Sequence, residues 1–390
     1  MASKTGVEDV VAVARGLQAE IRNAREEVEA NRRLPFPLVE KMEQAGLFRL
    51  SLPQSMGGPE CDPLTSFAAV EELSRADGSV GWCSMLSSTC SLFAGFLPSD
   101  VGRAMFGEPP SFRMAGSIRP EGRAVVVDGG YRASGRWDYA SGINHANWLL
   151  CTCVIEDGSG PRVTDGGLPE TRSLLAPMEA ATVHDNWSTV GMRGTGSHDF
   201  SLDDVFIPAE HSFLLFSTPY ETTPLYHPRL ALVVAWAPVA ANALGMARGA
   251  MDAFTELASG TGSTVSTMPL RERSMVQTNV GEAEAIIGAA RAYVVDSVGS
   301  AWQAVCEGSE DLDGAVAVAR LSITHAIWES VRAVDLLFHA AGTNAVHRRH
   351  PLERFFRDVH TAAQHVAGSP SSIEAAGQAL LGLRPDSPGW

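Results

Sequence analysis

Two short segments carry the residue types best suited to chemistry. The first, residues 134–142, has the sequence Ser-Gly-Arg-Trp-Asp-Tyr-Ala-Ser-Gly and places aromatic rings beside the hydroxyl of Ser141. The second, residues 357–365, begins with Arg-Asp and ends with His365. A serine hydroxyl donates or accepts a hydrogen bond without adding charge. A histidine of near-neutral pKa takes up and returns a proton. The two segments therefore predict acid/base chemistry beside a flat, hydrogen-bonded group.

Each of these residues also has a structural role open to it. Ser141 alone is a strand-end hydroxyl that satisfies backbone groups, and His365 alone is a surface or core histidine. Trp137 and Tyr139 lie two positions apart, so on a regular strand they share one face and either pack the core or line a cofactor. His360, five residues before His365, is expected to be structural.

Size and charge exclude several classes of protein. The chain has 390 residues with 45% hydrophobic content, enough for one large core or two to three modest ones. Thirty Lys and Arg against 45 Asp and Glu give a net charge of −15, which disfavours nucleic acids and anionic membranes as partners. We find no apolar run of the roughly 18 to 20 residues that a membrane span needs, and no N-terminal secretion signal. The cytoplasm is therefore the expected location.

Metal chemistry is not expected. The six cysteines form no Cys-x-x-Cys pair or Cys/His cluster with zinc spacing, so we expect reduced, mostly buried thiols. Asp203 and Asp204 form a surface acidic pair, and no histidine lies at ligand spacing from them.

The elements that must position these residues fall into three blocks. Apolar residues at helical spacing run from Val7 to Val28, and Asp62-Pro63 begins a further helix. From about Phe112, short β-prone runs separated by turn residues predict an antiparallel sheet, including a strand over Val183–Val190. The helical period returns after about residue 228. The predicted class is α+β, mostly α: a helical domain over 1–112, a β-barrel or sandwich domain over 113–225 and a helical bundle over 226–390.

With this order and its motifs, the chain resembles the acyl-CoA dehydrogenase superfamily over nearly its whole length. Residues 190–208 resemble the signature that closes the middle domain of that superfamily, and residues 134–142 resemble its Trp-containing flavin strand. Residues 268–277 resemble the arginine-and-glutamine helix that opens its C-terminal domain. The resemblance implies an N-terminal helical domain, a middle antiparallel β domain and a C-terminal four-helix bundle.

Within the superfamily, the chain is most similar to the two-component (group D) flavin-dependent monooxygenases. Residues 140–142 resemble their Ser-Gly motif, and residues 352–365 resemble their R-x-x-RD…H ending. The resemblance implies a homotetrameric oxygenase component that takes FADH2 or FMNH2 from a separate flavin reductase. With O2 the reduced flavin would form a C4a-hydroperoxyflavin and hydroxylate a small aromatic substrate such as an indole or a phenol. The chain has no Gly-x-Gly-x-x-Gly nucleotide fingerprint, which fits dependence on a reductase.

The resemblance also implies a role for each candidate residue. His365 would be the acid/base and Ser141 would face flavin N5. The other expected cofactor contacts are Trp137, Tyr139, Ala140, Gly116, Ser117, Arg271, Gly342 and Thr343. The expected substrate contacts are Trp82, Met85 and Trp236.

Three alternatives remain open on the sequence. The first is an acyl-CoA dehydrogenase with bound FAD and Glu353 or Glu374 as its base, although the Glu-Gly-Thr segment typical of dehydrogenases is missing. The second is an N-hydroxylase or S-oxygenase of the same branch. The third is a catalytically idle member that serves as a binding or assembly subunit.

Overall fold

Helices and strands follow one another in three blocks along the chain. The computed structural model describes residues 7–107, 111–215, 217–260 and 268–385. Within them the first block contains α1 (Val7–Asn31), α2 (Phe36–Gln44), α3 (Pro63–Ala76), α4 (Gly78–Leu92) and α5 (Ser99–Phe106). The second contains β1 (Met114–Val127), β2 (Gly130–Ala140), β3 (Trp148–Asp157), β4 (Gly160–Pro161), β5 (Thr171–Pro177), β6 (Thr182–His184), β7 (His198–Pro208) and β8 (Ser212–Phe213). The third contains α6 (Ala231–Gly260), α7 (Ser274–Cys306), α8 (Asp313–Ala341), α9 (Pro351–Ala362) and α10 (Pro370–Leu380).

This element order confirms the predicted α+β class with mostly helical content. The predicted domain limits, 112/113 and 225/226, lie in the connections from α5 to β1 and from β8 to α6. Residues 1–6, where a secretion signal would begin, lie outside the described residues.

Aspartate caps fix the helices that lead to the site. The Asp62 carboxylate accepts the N–H groups of Leu64 and Thr65, so α3 begins at Pro63, as predicted. Asp77 in the same way accepts the N–H groups of Ser79 and Val80 and starts α4. This second cap determines where the first turns of α4 lie.

The sheet has the strand order β6-β7-β2-β1-β3-β5-β8, with β4 paired to β3. Among the described strands every pairing is antiparallel except β1 with β3, which is parallel, so the expectation of a purely antiparallel sheet is wrong in this pair. The predicted strand over Val183–Val190 is also wrong beyond its start. Only Thr182–His184 pair with β7, after which the chain leaves the sheet.

A bulge in β2 separates two aromatic residues that a regular strand would keep together. The pairing with β7 shifts register between Trp137 and Ala140, and Tyr139 takes a left-handed backbone conformation with φ 60°. Trp137 is fully buried, whereas 60% of Tyr139 is exposed. The predicted shared face of these two residues is therefore wrong, because the bulge breaks the alternation of side chains.

Three apolar clusters hold the blocks together. The largest is shared by the N-terminal and C-terminal helices, a second fills the inner face of the sheet, and a third joins the sheet to α4 and α5. In the C-terminal block the long helices α6, α7 and α8 pack on one another, and α9 and α10 pack against α8. Within the described residues, only the segment Pro228–Gly260, which contains α6, is long and apolar enough to cross a membrane, and 78% of its most apolar window is buried inside the protein.

Candidate active site

Ser141, Trp82 and His365 converge from three different parts of the fold. Ser141 follows the end of β2, Trp82 lies in α4, and His365 follows α9. The indole N–H of Trp82 donates to Ser141 Oγ at 3.1 Å. The Trp82 ring packs edge to face on the imidazole of His365, with ring centroids 5.5 Å apart and planes at 81°. The two residues that the sequence singled out for chemistry are therefore joined through one indole.

His365 does not lie on a helix, as the sequence suggested, but caps the short 3₁₀ turn after α9. Its Nδ1 accepts the backbone N–H of Ala367 at 3.2 Å, so a neutral imidazole carries its proton on Nε2. His365 is partly exposed as a residue, although protein atoms surround its imidazole closely. This burial lowers the pKa of His365 to about 4. The expectation of a near-neutral pKa is therefore wrong, and at pH 7 the ring presents an N–H donor.

Behind Ser141 lies a chain of buried hydroxyl groups. Ser141 Oγ is 2.6 Å from Ser197 Oγ, and Ser197 Oγ is 2.7 Å from Thr195 Oγ1. Thr195 Oγ1 donates to the carbonyl oxygen of Met192 at 2.8 Å. The hydroxyl that the sequence placed at a cofactor is thus held from within the protein.

Asp358 of the Arg-Asp pair before His365, together with Arg354 one turn earlier on α9, makes positioning contacts that the sequence did not reveal. Asp358 is fully buried and accepts the backbone N–H of Met192 at 2.6 Å, so it fixes the loop that ends the hydroxyl chain. Arg354 lies 3.8 Å from Asp77, the cap of α4. Burial and the nearby carboxylate of Asp77 raise the pKa of Asp358 to about 7. These contacts tie α9 to both α4 and the loop before β7.

Three buried titratable groups predict how stability depends on pH. Burial lowers the pKa of His365 to about 4 and that of His145 to about 3, from an ordinary value of 6.5. Below pH 6.5 the unfolded chain binds these two protons while the folded chain does not, so both histidines contribute stability that is complete above pH 6.5 and lost on acidification. Asp358 acts oppositely, because its folded pKa of about 7 exceeds the ordinary 3.8.

Between pH 4.5 and 6.5 these three groups together make the unfolded state bind more protons than the folded state, and the lowered pKa values of His198, His211 and His350 act in the same direction. We therefore expect the free energy of unfolding to rise with pH in this range. Urea unfolding at pH 4.5, 5.5 and 6.5 measures this slope, and a His145→Gln variant should reduce it. A free energy that falls from pH 4.5 to 6.5 would contradict the assignment.

The predicted cofactor contacts on β1, Gly116 and Ser117, pair with Leu150 and Cys151 of β3. An ion pair of Arg119 with Asp138 at 2.9 Å joins the same part of β1 to β2. At Gly116, φ is 140° and an added Cβ would lie 2.2 Å from the carbonyl oxygen of Leu150. The close approach of β1 and β3 thus requires a glycine here whether or not a cofactor binds.

Three predicted contact residues have side chains that point into the core. The Trp137 ring is stacked on Phe200, and its N–H donates to the carbonyl oxygen of Thr152 at 2.8 Å, so its predicted contact with a cofactor ring is wrong. Ala140 is fully buried in the same cluster, which leaves only its backbone for a cofactor. Met85 is 2% exposed within the helical core, so its predicted substrate contact is wrong as well.

The accessible face of α4 is instead formed by Trp82, Leu86 and Thr89, which are partly exposed and lie four and three residues apart. The sequence analysis missed the last two. The two phenylalanines that follow α4, Phe93 and Phe96, pack on Phe213 in the cluster between helices and sheet.

Replacing Trp137 tests its structural role. We expect Trp137→Phe to lower the free energy of unfolding by about 1 to 3 kcal/mol, because the variant loses the hydrogen bond to Thr152 and leaves a void beside Phe200. Chemical denaturation measures this change. Affinity for a ligand at Ser141 should stay within about twofold of the wild type, since the indole does not reach that surface. A stable variant that has lost ligand binding would restore the original contact prediction.

The remaining candidates lie in the C-terminal helices. Trp236 is partly exposed on α6, with the guanidinium of Arg320 5.1 Å from its ring centroid. Arg271, Gly342 and Thr343 are exposed. None of the three forms a hydrogen bond or an ion pair with Ser141 in the described part of the chain. Among the described residues, no group of three or more His, Cys, Asp and Glu side chains could hold a metal ion.

Comparisons with known proteins fit this arrangement. A model of the acyl-CoA dehydrogenase N-terminal domain matches residues 10–97, and one of the acyl-CoA dehydrogenase C-terminal domain matches residues 237–370. The oxygenase subunit HsaA, a flavin-dependent monooxygenase of Mycobacterium tuberculosis, is 31% identical over 383 residues, covering 93% of this chain and 92% of that protein. This chain belongs to the acyl-CoA dehydrogenase superfamily. Within the superfamily it belongs to the flavin-dependent monooxygenases.

Further relatives support the same branch. Indole-3-acetate monooxygenase of Pseudomonas putida is 29% identical over 360 residues, covering 92% of this chain and 90% of that protein. Among solved structures, XiaF from Streptomyces sp. in complex with FADH2 and glycerol superposes with a TM-score of 0.89 at 27% identity. That match covers 98% of this chain and 97% of XiaF.

Neither of the two carboxylates proposed as a dehydrogenase base is bonded to Ser141 or His365 in the described part of this flavin-dependent monooxygenase. Of the two carboxylates proposed for that role, Glu353 forms an ion pair with Arg357 at 2.6 Å, and Glu374 is exposed on α10. Neither carboxylate forms a hydrogen bond or an ion pair with Ser141 or His365 among the described residues. The dehydrogenase alternative therefore finds no support in the geometry.

The residues around Ser141 fit the edge of a flavin ring. Ser141 offers a hydroxyl oxygen, and two residues earlier the exposed ring of Tyr139 lies against Trp187, with centroids 6.2 Å apart. An exposed aromatic ring beside a buried hydrogen-bonding group is suited to a flat ligand that is apolar on its faces and polar at its edge.

Proposed function

We propose that this chain is the oxygenase component of a two-component monooxygenase that hydroxylates a small aromatic compound. The observation that carries the proposal is the convergence of the Ser141 hydroxyl, the Trp82 indole and the His365 imidazole. Reduced flavin supplies two electrons, so that one atom of O2 enters the substrate ring as a hydroxyl group and the other leaves as water.

In this proposal the protein's own residues bind, orient and exclude water. Ser141 would hold the N5 edge of the flavin, Tyr139 would lie against the ring, and the backbone around Gly116 and Ser117 would contact the pyrimidine side. His365 donates its Nε2–H to an oxygen at the reacting centre, where charge develops. Burial lowers the pKa of His365 to about 4, which keeps this donor neutral at pH 7.

The accessible face of α4 favours an aromatic substrate. Trp82, Leu86 and Thr89 provide a largely apolar face with one hydroxyl, and Trp236 is proposed to complete it from α6. Such a surface suits an indole or a phenol better than a sugar. The activity named for the Pseudomonas relative, on indole-3-acetate, agrees with this class.

Partners and location are proposed on further features. The oxygenase-subunit name of the M. tuberculosis relative supports a separate flavin reductase as the source of FADH2 or FMNH2. The resemblance implies that Arg271, Gly342 and Thr343 contact flavin, yet all three are exposed in a single chain. Contacts with the flavin of a neighbouring subunit would explain this exposure, which supports a homotetramer. Five buried free cysteines suit a reducing compartment such as the cytoplasm.

Isotope labelling tests the reaction class. The chain is given FADH2 or FMNH2 and 18O2 with indole, indole-3-acetate or a phenol, and product mass is measured. We expect one 18O atom in the hydroxylated product and none from labelled water. Dehydrogenation of an acyl-CoA without any oxygen transfer to these aromatics would overturn the proposal.

A further inference from the structure

The buried hydroxyl chain behind Ser141 has one arrangement of protons that makes all of its hydrogen bonds. The carbonyl oxygen of Met192 only accepts, so the proton between it and Thr195 belongs to the Thr195 hydroxyl. Thr195 has then no second proton, and the 2.7 Å contact must be donated by Ser197. By the same count, the 2.6 Å contact between Ser197 and Ser141 must be donated by Ser141.

In this arrangement the Ser141 hydroxyl has no proton left to donate to a ligand. Its proton points to Ser197, and one lone pair accepts the indole N–H of Trp82. A hydroxyl oxygen has two lone pairs, so the group that remains available is a single acceptor. A ligand atom that faces Ser141 must therefore carry a hydrogen.

The end of the chain is fixed by the fold. Ser197 is 3% exposed and Thr195 is 2% exposed, which limits reversal of the chain by solvent. The Met192 carbonyl oxygen also accepts the indole N–H of Trp187 at 3.0 Å. The backbone N–H of Met192 donates to the buried carboxylate of Asp358. The Met192 carbonyl oxygen, which sets the direction of every hydrogen bond in the hydroxyl chain, is thus fixed by Trp187 and by Asp358.

We propose that Ser197 and Thr195 are positioning residues that hold Ser141 as a hydrogen-bond acceptor and so make the site selective for reduced flavin. Reduced flavin carries a hydrogen on N5, whereas N5 of oxidised flavin is itself an acceptor and would meet the lone pair of Ser141. This inference rests on the proposed function, because it requires N5 to lie at Ser141. It explains how the site retains the form that reacts with O2 and releases the oxidised form.

The test compares the affinities of the full chain for FADH2, under anaerobic conditions, and for oxidised FAD. The wild type is expected to bind FADH2 at least about tenfold more tightly, the change that one ordinary hydrogen bond makes. In Ser197→Ala the Ser141 proton is free to turn toward the ligand, so this preference should fall about tenfold. The midpoint potential of the bound flavin should then fall by about 30 mV, the equivalent of tenfold for a two-electron couple.

A second variant and two controls keep the test decisive. Thr195→Val should change the preference in the same direction, whereas Thr195→Ser, which keeps the hydroxyl, should retain it. Ser173→Ala removes a fully buried serine of the same sheet whose Oγ contacts Thr152 instead, and it should leave the preference unchanged. Thermal melting verifies that each variant is folded.

The possible failures are distinguishable. A wild type that binds no reduced flavin would overturn the proposed function itself. A wild type that binds both redox forms equally, or folded Ser197→Ala and Thr195→Val variants with the wild-type preference, would overturn the role of the hydroxyl chain alone.

Discussion

Ser141→Ala is expected to uncouple oxygen consumption from hydroxylation. The variant removes the acceptor that we place at flavin N5, and it leaves the partly buried indole N–H of Trp82 without its partner. Loss of a buried hydrogen bond of this kind costs about 1 to 3 kcal/mol. We therefore expect product formed per flavin oxidised to fall at least about tenfold, with hydrogen peroxide released in its place. Single-turnover assays that quantify product and peroxide together measure this ratio.

A matched variant separates the hydroxyl of Ser141 from a general effect on the strand. Ser134 lies on β2, the strand that Ser141 follows, and its Oγ accepts the backbone N–H of Asp204. We expect Ser134→Ala to retain wild-type coupling. If Ser141→Ala forms product as efficiently as Ser134→Ala does, Ser141 has no role at the reacting centre.

His365→Ala is expected to slow hydroxylation by about a hundredfold, the usual effect of removing one aligned donor from a site where charge develops. Oxidation of the reduced flavin by O2 should continue, because the imidazole is proposed to act on the substrate step. His365→Gln restores an N–H at the end of the side chain and should recover part of the rate. Rapid-quench measurement of product against flavin oxidation separates the two steps.

The pH profile gives a second readout for His365. Because burial lowers its pKa to about 4, the ring stays neutral from pH 6 to 8, and the hydroxylation rate should show no step from this residue in that range. His360, whose Nε2 lies 3.3 Å from Asp335 Oδ1, serves as the control, and His360→Ala should keep the hydroxylation rate. Hydroxylation that is unchanged in His365→Ala, or lost equally in His360→Ala, would contradict the assignment.

The order of elements was predictable because periodicity and caps are local. Asp62 caps the helix that was expected after it, and the β-prone runs pair into one sheet. Helix phase was harder to predict, because α4 is buried on most of its faces and small serines are buried there together with the apolar residues. The substrate contact was accordingly expected at Met85, whereas the accessible face contains the neighbouring Leu86.

At the site itself, sequence reasoning found the groups but not what holds them. Trp137 was misplaced because a bulge in β2 cannot be recognised from alternation alone. Ser197 and Thr195 lie in the motif of residues 190–208, yet the contact of Ser197 with Ser141 spans 56 positions and depends on strand pairing. Asp358 was noticed only as part of a motif, since its partner Met192 lies 166 positions away.

The central claim is that the chain holds reduced flavin so that O2 reacts in a site closed to water. Its most direct test mixes the anaerobic complex of the chain and FADH2 with O2, while oxygen uptake and the oxidised-flavin absorbance are followed together. We predict that stoichiometric oxygen uptake precedes the return of oxidised flavin as a separate, faster phase, and that Ser141→Ala shortens the interval between them. Oxygen uptake, peroxide release and flavin oxidation that rise together in the wild type, as they do for free FADH2, would contradict the account.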